Sequence, residues 1–184
     1  MKIRLPHAPY IANKIAIDLH KCGFVTMIKG IEPVTKVAET LLTEDIKKEM
    51  ALEERVGEIL EQNEDEMEFQ RVDRRSMFWL IKKKLAKEYG VILSYEDRYN
   101  EVSHAILEMS WKNNLIEYSV SENRVKNVVY TSIESYIESF QEIEDEVAEK
   151  ISHYKRKVIP GSEEYDLIFE KLYEEELRAR GMLS

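Results

Sequence analysis

The chain has 184 residues, of which 43% are apolar and 34% charged, and its formal net charge is −9. This length suits one ordinary domain or two small ones, and the 6 Gly and 4 Pro are too few for a strand-rich sandwich. The single cysteine, Cys22, excludes an internal disulfide, and no apolar run approaches the roughly 18 residues of a membrane span. We therefore expect a soluble, cytoplasmic, all-α protein with no membrane partner.

A gapless shift of 91 positions brings the two halves of the chain into register. A chance match between two amphipathic helical sequences is the alternative explanation. Because the register persists across three helices, we interpret the chain as two tandem three-helix repeats, residues 1–91 and 92–184. The shift superposes identical residues along the chain: Ile15 on Ile106, Val34 on Val125, Ile46 on Ile137, Glu53 on Glu144, Val56 on Val147, Phe78 on Phe169 and Gly90 on Gly181.

The first helix of each repeat is short and carries one apolar face. In the first repeat we predict it at about residues 9–21, with Gly23 just past its end, where helices favour glycine. In the second repeat we predict it at about residues 95–112, with Ser94 as its N-cap. Two connecting segments follow, residues 24–31 and 115–120, and each is too short to build a sheet alone.

The second helix is long in both repeats, at about residues 33–66 and 123–157. A rise of about 1.5 Å per residue gives each a length of roughly 50 Å, and Glu53 and Glu144 interrupt their apolar seams. These two glutamates either fix the helix pairing or lie at its edge. The third helices, at about residues 73–89 and 163–180, return along the second. We predict a central bundle with two protruding hairpin arms, whose tips lie near residues 63–72 and 154–163.

Basic residues cluster at both predicted tips, and an aromatic side chain lies within the first cluster. Cations around an aromatic ring suit a nucleic acid, because phosphates bind the cations while a base stacks on the ring. We therefore hypothesise a non-enzymatic protein that grips a DNA or RNA backbone. The candidate nucleic-acid-binding residues are Arg71, Arg74, Arg75, Trp79, Lys82, Lys83, Lys84, Lys155, Arg156 and Lys157.

Two alternatives to this hypothesis stay open. In the first, the cations form an ordinary solvated face and pair with acids of the neighbouring helix, between Glu61 and Glu68. In the second, the protein is an adaptor that receives a partner helix in the groove between the arms. Exposed apolar side chains at Phe69 and Trp79 would favour the adaptor.

Motifs for catalysis or cofactor binding are missing from the sequence. Glu101 and His104 form one Glu-x-x-His pair, but a di-iron bundle site needs a second pair, and the 91-residue shift supplies Tyr10 and Asn13 instead. No glycine-rich phosphate loop occurs, and Cys22 has no orienting partner. We expect no metal, no cofactor and no enzymatic activity.

Several short motifs along the chain resemble a bacterial family known as domain of unknown function 507. The resemblance covers essentially the whole chain. It implies a bacterial cytoplasmic protein and assigns no activity. The motifs are Leu5-Pro6-His7-Ala8-Pro9-Tyr10, Gly30-Ile31-Glu32-Pro33-Val34, Val72-Asp73-Arg74-Arg75, Lys82-Lys83-Lys84-Leu85-Ala86-Lys87, Ser94-Tyr95-Glu96-Asp97-Arg98, His153-Tyr154-Lys155-Arg156-Lys157 and Ile159-Pro160-Gly161.

Overall fold

The structure is a computed structural model that describes residues 3–182. Within that range the fold is all-α, as predicted, with one short 3₁₀ turn at Leu5–His7 and one small sheet. The α-helices are α1 (Ala8–Lys21), α2 (Ile31–Gln62), α3 (Glu64–Phe69), α4 (Arg74–Leu85), α5 (Tyr95–Lys112), α6 (Glu122–Ser152) and α7 (Glu163–Ala179). The strands are β1 (Val25–Met27) and β2 (Ile116–Tyr118).

Local chemistry explains where several helices begin and end. The Ser94 hydroxyl accepts a hydrogen bond from the backbone N–H of Asp97 at 3.3 Å, so it caps α5 as predicted. Ser162 caps α7 in the same way, accepting from the N–H of Tyr165 at 3.2 Å. After α1, Gly23 adopts a φ of 83°, a left-handed conformation that glycine reaches without steric strain.

Both long helices end earlier than their apolar pattern predicts. α2 ends at Gln62 because Asn63 leaves the helical conformation, with φ at −115°. The Asn63 side-chain amide donates to the Ile59 carbonyl at 2.7 Å, which is how Asn competes with helix continuation. α6 ends at Ser152 instead of residue 157, and the turn to α7 follows. The short helix α3 was not predicted.

The two connecting segments pair with each other, which the sequence did not predict. β1 and β2 form a two-stranded antiparallel sheet in which Thr26 lies opposite Glu117. The backbone N–H of Ile28 also donates to the Leu115 carbonyl at 2.9 Å. Three-residue strands carry almost no periodicity, so only tertiary packing reveals their pairing. The sheet joins the two halves of the chain.

Four helices form the central bundle. α1 packs against α2 and α6. α5, which belongs to the second half of the chain, packs against the same two helices. Ile11, Ile15, Ile106 and Ile133 are fully buried between them. Each half therefore holds a helix, a strand and a long helix in the same order. The 91-residue offset and the boundary between residues 91 and 92 stay predictions.

The C-terminal half of each long helix packs on a returning helix. We call the hairpin of α2 with α4 arm 1, and the hairpin of α6 with α7 arm 2. Arm 1 has its own apolar cluster, which includes Leu52, Val56 and Leu60, separate from the main core. The buried side chains of arm 2, including Phe140 and Val147, belong to the main core.

Candidate nucleic-acid interface

The tip of arm 1 comprises residues 63–73 and the first turn of α4. Arg71, Arg74 and Arg75 are all exposed there. Arg74 Nη1 lies 3.6 Å from Glu64 Oε1, whereas Arg71 and Arg75 make no ion pair with any described residue. An exposed ion pair contributes only about 0–1 kcal/mol. Arg74 therefore remains available to an anion, and pairing with the acids of α3 accounts for only one of the three arginines.

Arg71 adopts an unusual backbone conformation in this turn. Its φ is 53°, in the left-handed region that favours glycine. A residue with a Cβ costs roughly 1–2 kcal/mol there relative to its ordinary conformation. The backbone N–H of Arg71 donates to the Glu68 carbonyl at 3.1 Å, which closes the turn. An arginine thus occupies a position where glycine would be less strained, and its guanidinium is exposed.

Asp73 starts α4 and sets the direction in which the following cations project. Its carboxylate accepts from the Ser76 backbone N–H at 2.8 Å and from the Ser76 hydroxyl at 2.7 Å. These hydrogen bonds hold the pKa of Asp73 below its ordinary value. Arg75, Trp79 and Lys83 follow at four-residue intervals, so they lie along one face of the helix. Lys84 is also exposed, on another side of α4.

Trp79 lies at the middle of this face and is 52% exposed. Its ring meets the edge of the Phe78 ring at a centroid distance of 6.1 Å. The Lys82 ammonium lies over the Trp79 ring, 5.2 Å from its centroid, within the range of a cation–π contact. Half of the indole is therefore packed on arm 1 and half faces solvent, which leaves room for a stacking partner.

Lys82 does not belong to the exposed cluster, contrary to its place among the candidate residues. Its side chain is buried, and its ammonium donates to Glu49 Oε1 and to Glu53 Oε1, both at 2.8 Å. Burial opposes its charge, but these hydrogen bonds outweigh burial and raise the pKa of Lys82. Lys82 is buried because α2 places two carboxylates opposite this position of α4. Lys82 is held in the interior and cannot reach a phosphate in this structure.

The tip of arm 2 lies in residues 153–162, between α6 and α7. Lys155, Arg156 and Lys157 are exposed in this turn. The Arg156 guanidinium lies 3.4 Å from the Glu164 carboxylate, while the two lysines make no ion pair with any described residue. Tyr154 and Ile159 are exposed beside them. Both tips therefore combine exposed cations with exposed apolar side chains, because Phe69 is exposed at the tip of arm 1.

A third cationic surface was missed by the sequence reasoning. Lys14 and Lys21 of α1 and Arg124 of α6 line one groove of the central bundle. The seven-residue spacing of the two lysines was the only local signal. Arg124 is more than a hundred positions away, so its place beside them depends on the packing of α1 against α6.

The described residues contain neither a metal-binding cluster nor a membrane-spanning helix. Within residues 3–182 no group of three His, Cys, Asp or Glu side chains is arranged to hold a metal ion. No helix in the same range is long and apolar enough to cross a membrane.

A sequence model of the family described as Protein of unknown function (DUF507) matches residues 1–182. The chain belongs to this family. The resemblance noted from its short motifs is thereby confirmed over nearly its whole length. No curated protein sequence gives a significant match. The family description assigns no activity, so function has to be argued from the surfaces of the molecule.

Proposed function

We propose that the protein is a non-enzymatic, cytoplasmic binder of a nucleic-acid backbone, which it holds with the tips of its two arms. One observation carries the proposal: six exposed cations lie at the two tips, and four of them have no ion-pair partner among the described residues. They are Arg71, Arg74, Arg75, Lys155, Arg156 and Lys157. In a chain with a net charge of −9, unpaired cations gathered at two places favour contact with an anion.

The overall negative charge does not prevent this contact. At about 0.1 M salt, charges more than about 10 Å apart are largely screened from one another. The tip cations therefore act on a phosphate at short range, while the acids of the central bundle act weakly. The acids of α3 lie in the tip of arm 1 itself, and among them only Glu64 forms an ion pair with a described tip arginine. Beside them, the exposed half of Trp79 offers a surface on which a base can stack, flanked by Arg75 and Lys83. The proposed roles are phosphate contact for the cations and stacking for Trp79.

Fluorescence anisotropy with labelled duplex DNA, duplex RNA and single strands tests the proposal directly. We expect binding whose affinity falls by about 0.9 decade per decade of salt for each duplex phosphate contacted. The key variant replaces all six tip cations with glutamine. Because every one of these side chains is exposed, the variant is expected to fold normally and to lose about 100-fold or more in affinity at low salt.

A matched control separates the tips from bulk charge. It also removes six exposed cations, but from other surfaces: Lys29, Lys47, Lys48, Lys112, Lys171 and Arg178, each replaced by glutamine. We expect this control to keep most of the wild-type affinity. Equal losses in the two variants would mean that only net charge matters. Absence of wild-type binding at low salt would overturn the proposal outright.

A second prediction concerns Asp73, the one acid between Arg71 and Arg75 in the sequence. Replacing Asp73 with Asn removes a negative charge but keeps a good N-cap for α4. We expect affinity for the nucleic acid to rise roughly twofold to fivefold at low salt, and the gain to shrink as salt screens the charge. The same anisotropy assay measures it, with Asp145→Asn on the exposed surface of α6 as the control. Weaker binding of Asp73→Asn would contradict a phosphate contact at this tip.

The adaptor is the second candidate function, and one observation favours it. Phe69 at the tip of arm 1 is 87% exposed, and Leu167 on α7 of arm 2 is 70% exposed. Single exposed apolar side chains are normal, whereas a contiguous apolar patch marks a protein interface, and the adaptor requires each of these two residues to belong to such a patch. The two functions differ in their salt dependence, because an apolar interface tolerates salt that disrupts phosphate contacts. Salt-resistant binding of a purified protein partner that is lost in Phe69→Ser would support the adaptor.

A further inference from the structure

A concave surface of the central bundle is a shallow groove between α1 and the first half of α6. It has a volume of about 550 Å³ and is largely open to solvent. Cavities of about 300–1,000 Å³ are the usual size of small-molecule sites. The groove lies far from the arm tips, because Arg124 and the tip of arm 2 are separated by nearly the whole of α6, about 40 Å at the usual helical rise.

The charge inside the groove is opposite to that of the chain as a whole. Lys14, Lys21 and Arg124 line it, together with a single acid, Asp18. That acid is already occupied, since Asp18 Oδ2 accepts from the Lys14 ammonium and from the Ser132 hydroxyl, both at 2.8 Å. Lys21 and Arg124 have no carboxylate partner among the described residues. Two cations therefore remain free to bind a shared anion.

Arg124 is held in place by an aromatic ring instead of a carboxylate. Its guanidinium carbon lies 4.5 Å from the centroid of the Phe24 ring. A guanidinium that stacks on a ring keeps its N–H groups free at its edge, where they bind a phosphate with two parallel hydrogen bonds. Phe24 thus orients Arg124 without neutralising it, and this arrangement favours an oxyanion over an ion pair within the protein.

The rest of the lining suits the remainder of a phosphorylated molecule. Asn127, Thr131 and Ser135 follow Arg124 along the same side of α6 and supply amide and hydroxyl groups. Phe24 and Val128 are half-buried and contribute apolar surface to the groove. The groove therefore combines a cationic end, hydrogen-bonding side chains along one wall and an apolar floor.

From this combination we infer that the α1–α6 groove binds a small phosphorylated molecule of mononucleotide size. Lys21 and Arg124 contact the phosphate, and the side chains at Asn127 and Thr131 bind the hydroxyl groups of the attached sugar. The flat base lies against the apolar floor. This site is separate from the arm tips and is independent of whether the tips bind nucleic acid.

Isothermal titration with adenosine monophosphate as the probe tests the inference. We expect saturable binding of adenosine monophosphate, weaker binding of inorganic phosphate and no binding of adenosine, because the phosphate supplies the charge contact and the remainder adds affinity. Arg124→Gln is expected to weaken binding about tenfold, which is the size of one lost charge-assisted contact. Asp18→Asn, which removes the only acid, is expected to tighten it.

The controls distinguish this groove from general charge and from the tips. Arg178→Gln removes an exposed arginine of α7 and should bind adenosine monophosphate like the wild type. The variant lacking the six tip cations should do the same. No binding up to about 10 mM adenosine monophosphate, or wild-type affinity in Arg124→Gln, would overturn the inference. A labelled oligonucleotide that loses affinity in Arg124→Gln, but not in the tip variant, would instead assign the groove to nucleic acid.

Discussion

Replacing Glu49 with alanine is expected to destabilise the protein by about 3–5 kcal/mol, because it removes two buried hydrogen bonds between charged groups, each worth about 1.5–3 kcal/mol. Glu49 is buried in α2 and bridges two buried cations. Its Oε1 accepts from Lys82 at 2.8 Å and its Oε2 accepts from Arg98 Nη1 at 2.6 Å. Without the carboxylate, Lys82 keeps only Glu53 and Arg98 keeps only Asp45 as an acidic partner among the described residues. One N–H donor of each buried cation then loses its acceptor in the interior.

The pKa of Glu49 also indicates that the buried network stabilises its charged form. Burial opposes its ionisation, but the hydrogen bonds from Lys82 and Arg98 outweigh burial and hold its pKa below the ordinary value. Arg98 also donates to Asp45 Oδ2 at 2.7 Å and to the Asp45 backbone carbonyl at 3.1 Å. The network ties α4 and α5 to one stretch of α2. It therefore links the base of arm 1 to the central bundle.

Urea unfolding followed by circular dichroism measures this loss. Glu54→Ala is the matched control, since Glu54 is an exposed glutamate of the same helix. It should cost less than about 0.5 kcal/mol. A double variant, Glu49→Leu with Lys82→Met, should recover much of the stability, because apolar side chains replace the buried ammonium together with the carboxylate. Arg98 remains paired with Asp45 in this variant. A loss in Glu49→Ala no larger than that of the control would show that the buried network contributes little.

The sequence predicted the helices well because their apolar faces repeat over many turns. The predicted bounds for the helix at residues 95–112 match α5 to the residue. Its N-cap, Ser94, was also predicted from local sequence. Helix ends were less predictable where a single side chain decides them. At Asn63 a local hydrogen bond stops α2 although the apolar pattern continues.

The candidate interface was predictable only where a residue's environment is local. Arg71, Arg156 and their neighbours lie in turns, and turns between helices are exposed whatever the packing. Lys82 begins a run of three lysines, and the sequence alone does not distinguish it from Lys83 and Lys84. Its burial depends on Glu49, which lies 33 residues earlier on another helix. The groove residue Arg124 is a similar case, because its neighbours in α1 are distant in sequence.

Aromatic rings at the base of arm 2 correspond to the buried ion-pair network at the base of arm 1. Under the predicted 91-residue offset, Glu49, Lys82 and Arg98 correspond to Phe140, Tyr173 and His7. These three rings also lie together: the His7 ring stacks on Phe140 at a centroid distance of 3.7 Å, and the Tyr173 ring is 6.4 Å from His7. The base of arm 2 is thus held by ring packing, and one of its rings can take up a proton.

Acid is expected to destabilise the protein through His7, by about 3 kcal/mol between pH 6.5 and pH 4. His7 is buried, and burial, helped by the Arg4 guanidinium, lowers its pKa from 6.5 to about 4. Above pH 6.5 the imidazole is neutral in both states and contributes nothing to the pH dependence. As the pH falls from 6.5 to 4, His7 binds a proton in the unfolded chain but stays largely neutral in the folded protein. The free energy of unfolding therefore decreases.

A difference between two variants isolates this effect from the carboxylates that titrate in the same range. His7→Phe keeps a ring against Phe140 and cannot be protonated. It also removes Nδ1, which has no hydrogen-bond partner among the described residues. The stability of His7→Phe relative to the wild type should increase by about 3 kcal/mol from about pH 7 to about pH 4 in urea unfolding. His20→Gln, at an exposed site, should follow the wild-type profile.

Parallel pH profiles for His7→Phe and the wild type would mean that His7 is protonated in the folded protein as readily as in the unfolded chain. If the profiles diverge as expected, the place where structure is first lost also follows from the packing. His7 contacts α6 through Phe140, whereas the apolar cluster of arm 1 is separate from the main core. Hydrogen exchange at mildly acidic pH should therefore accelerate around Phe140 and Tyr173 before it does around Leu52 and Val56.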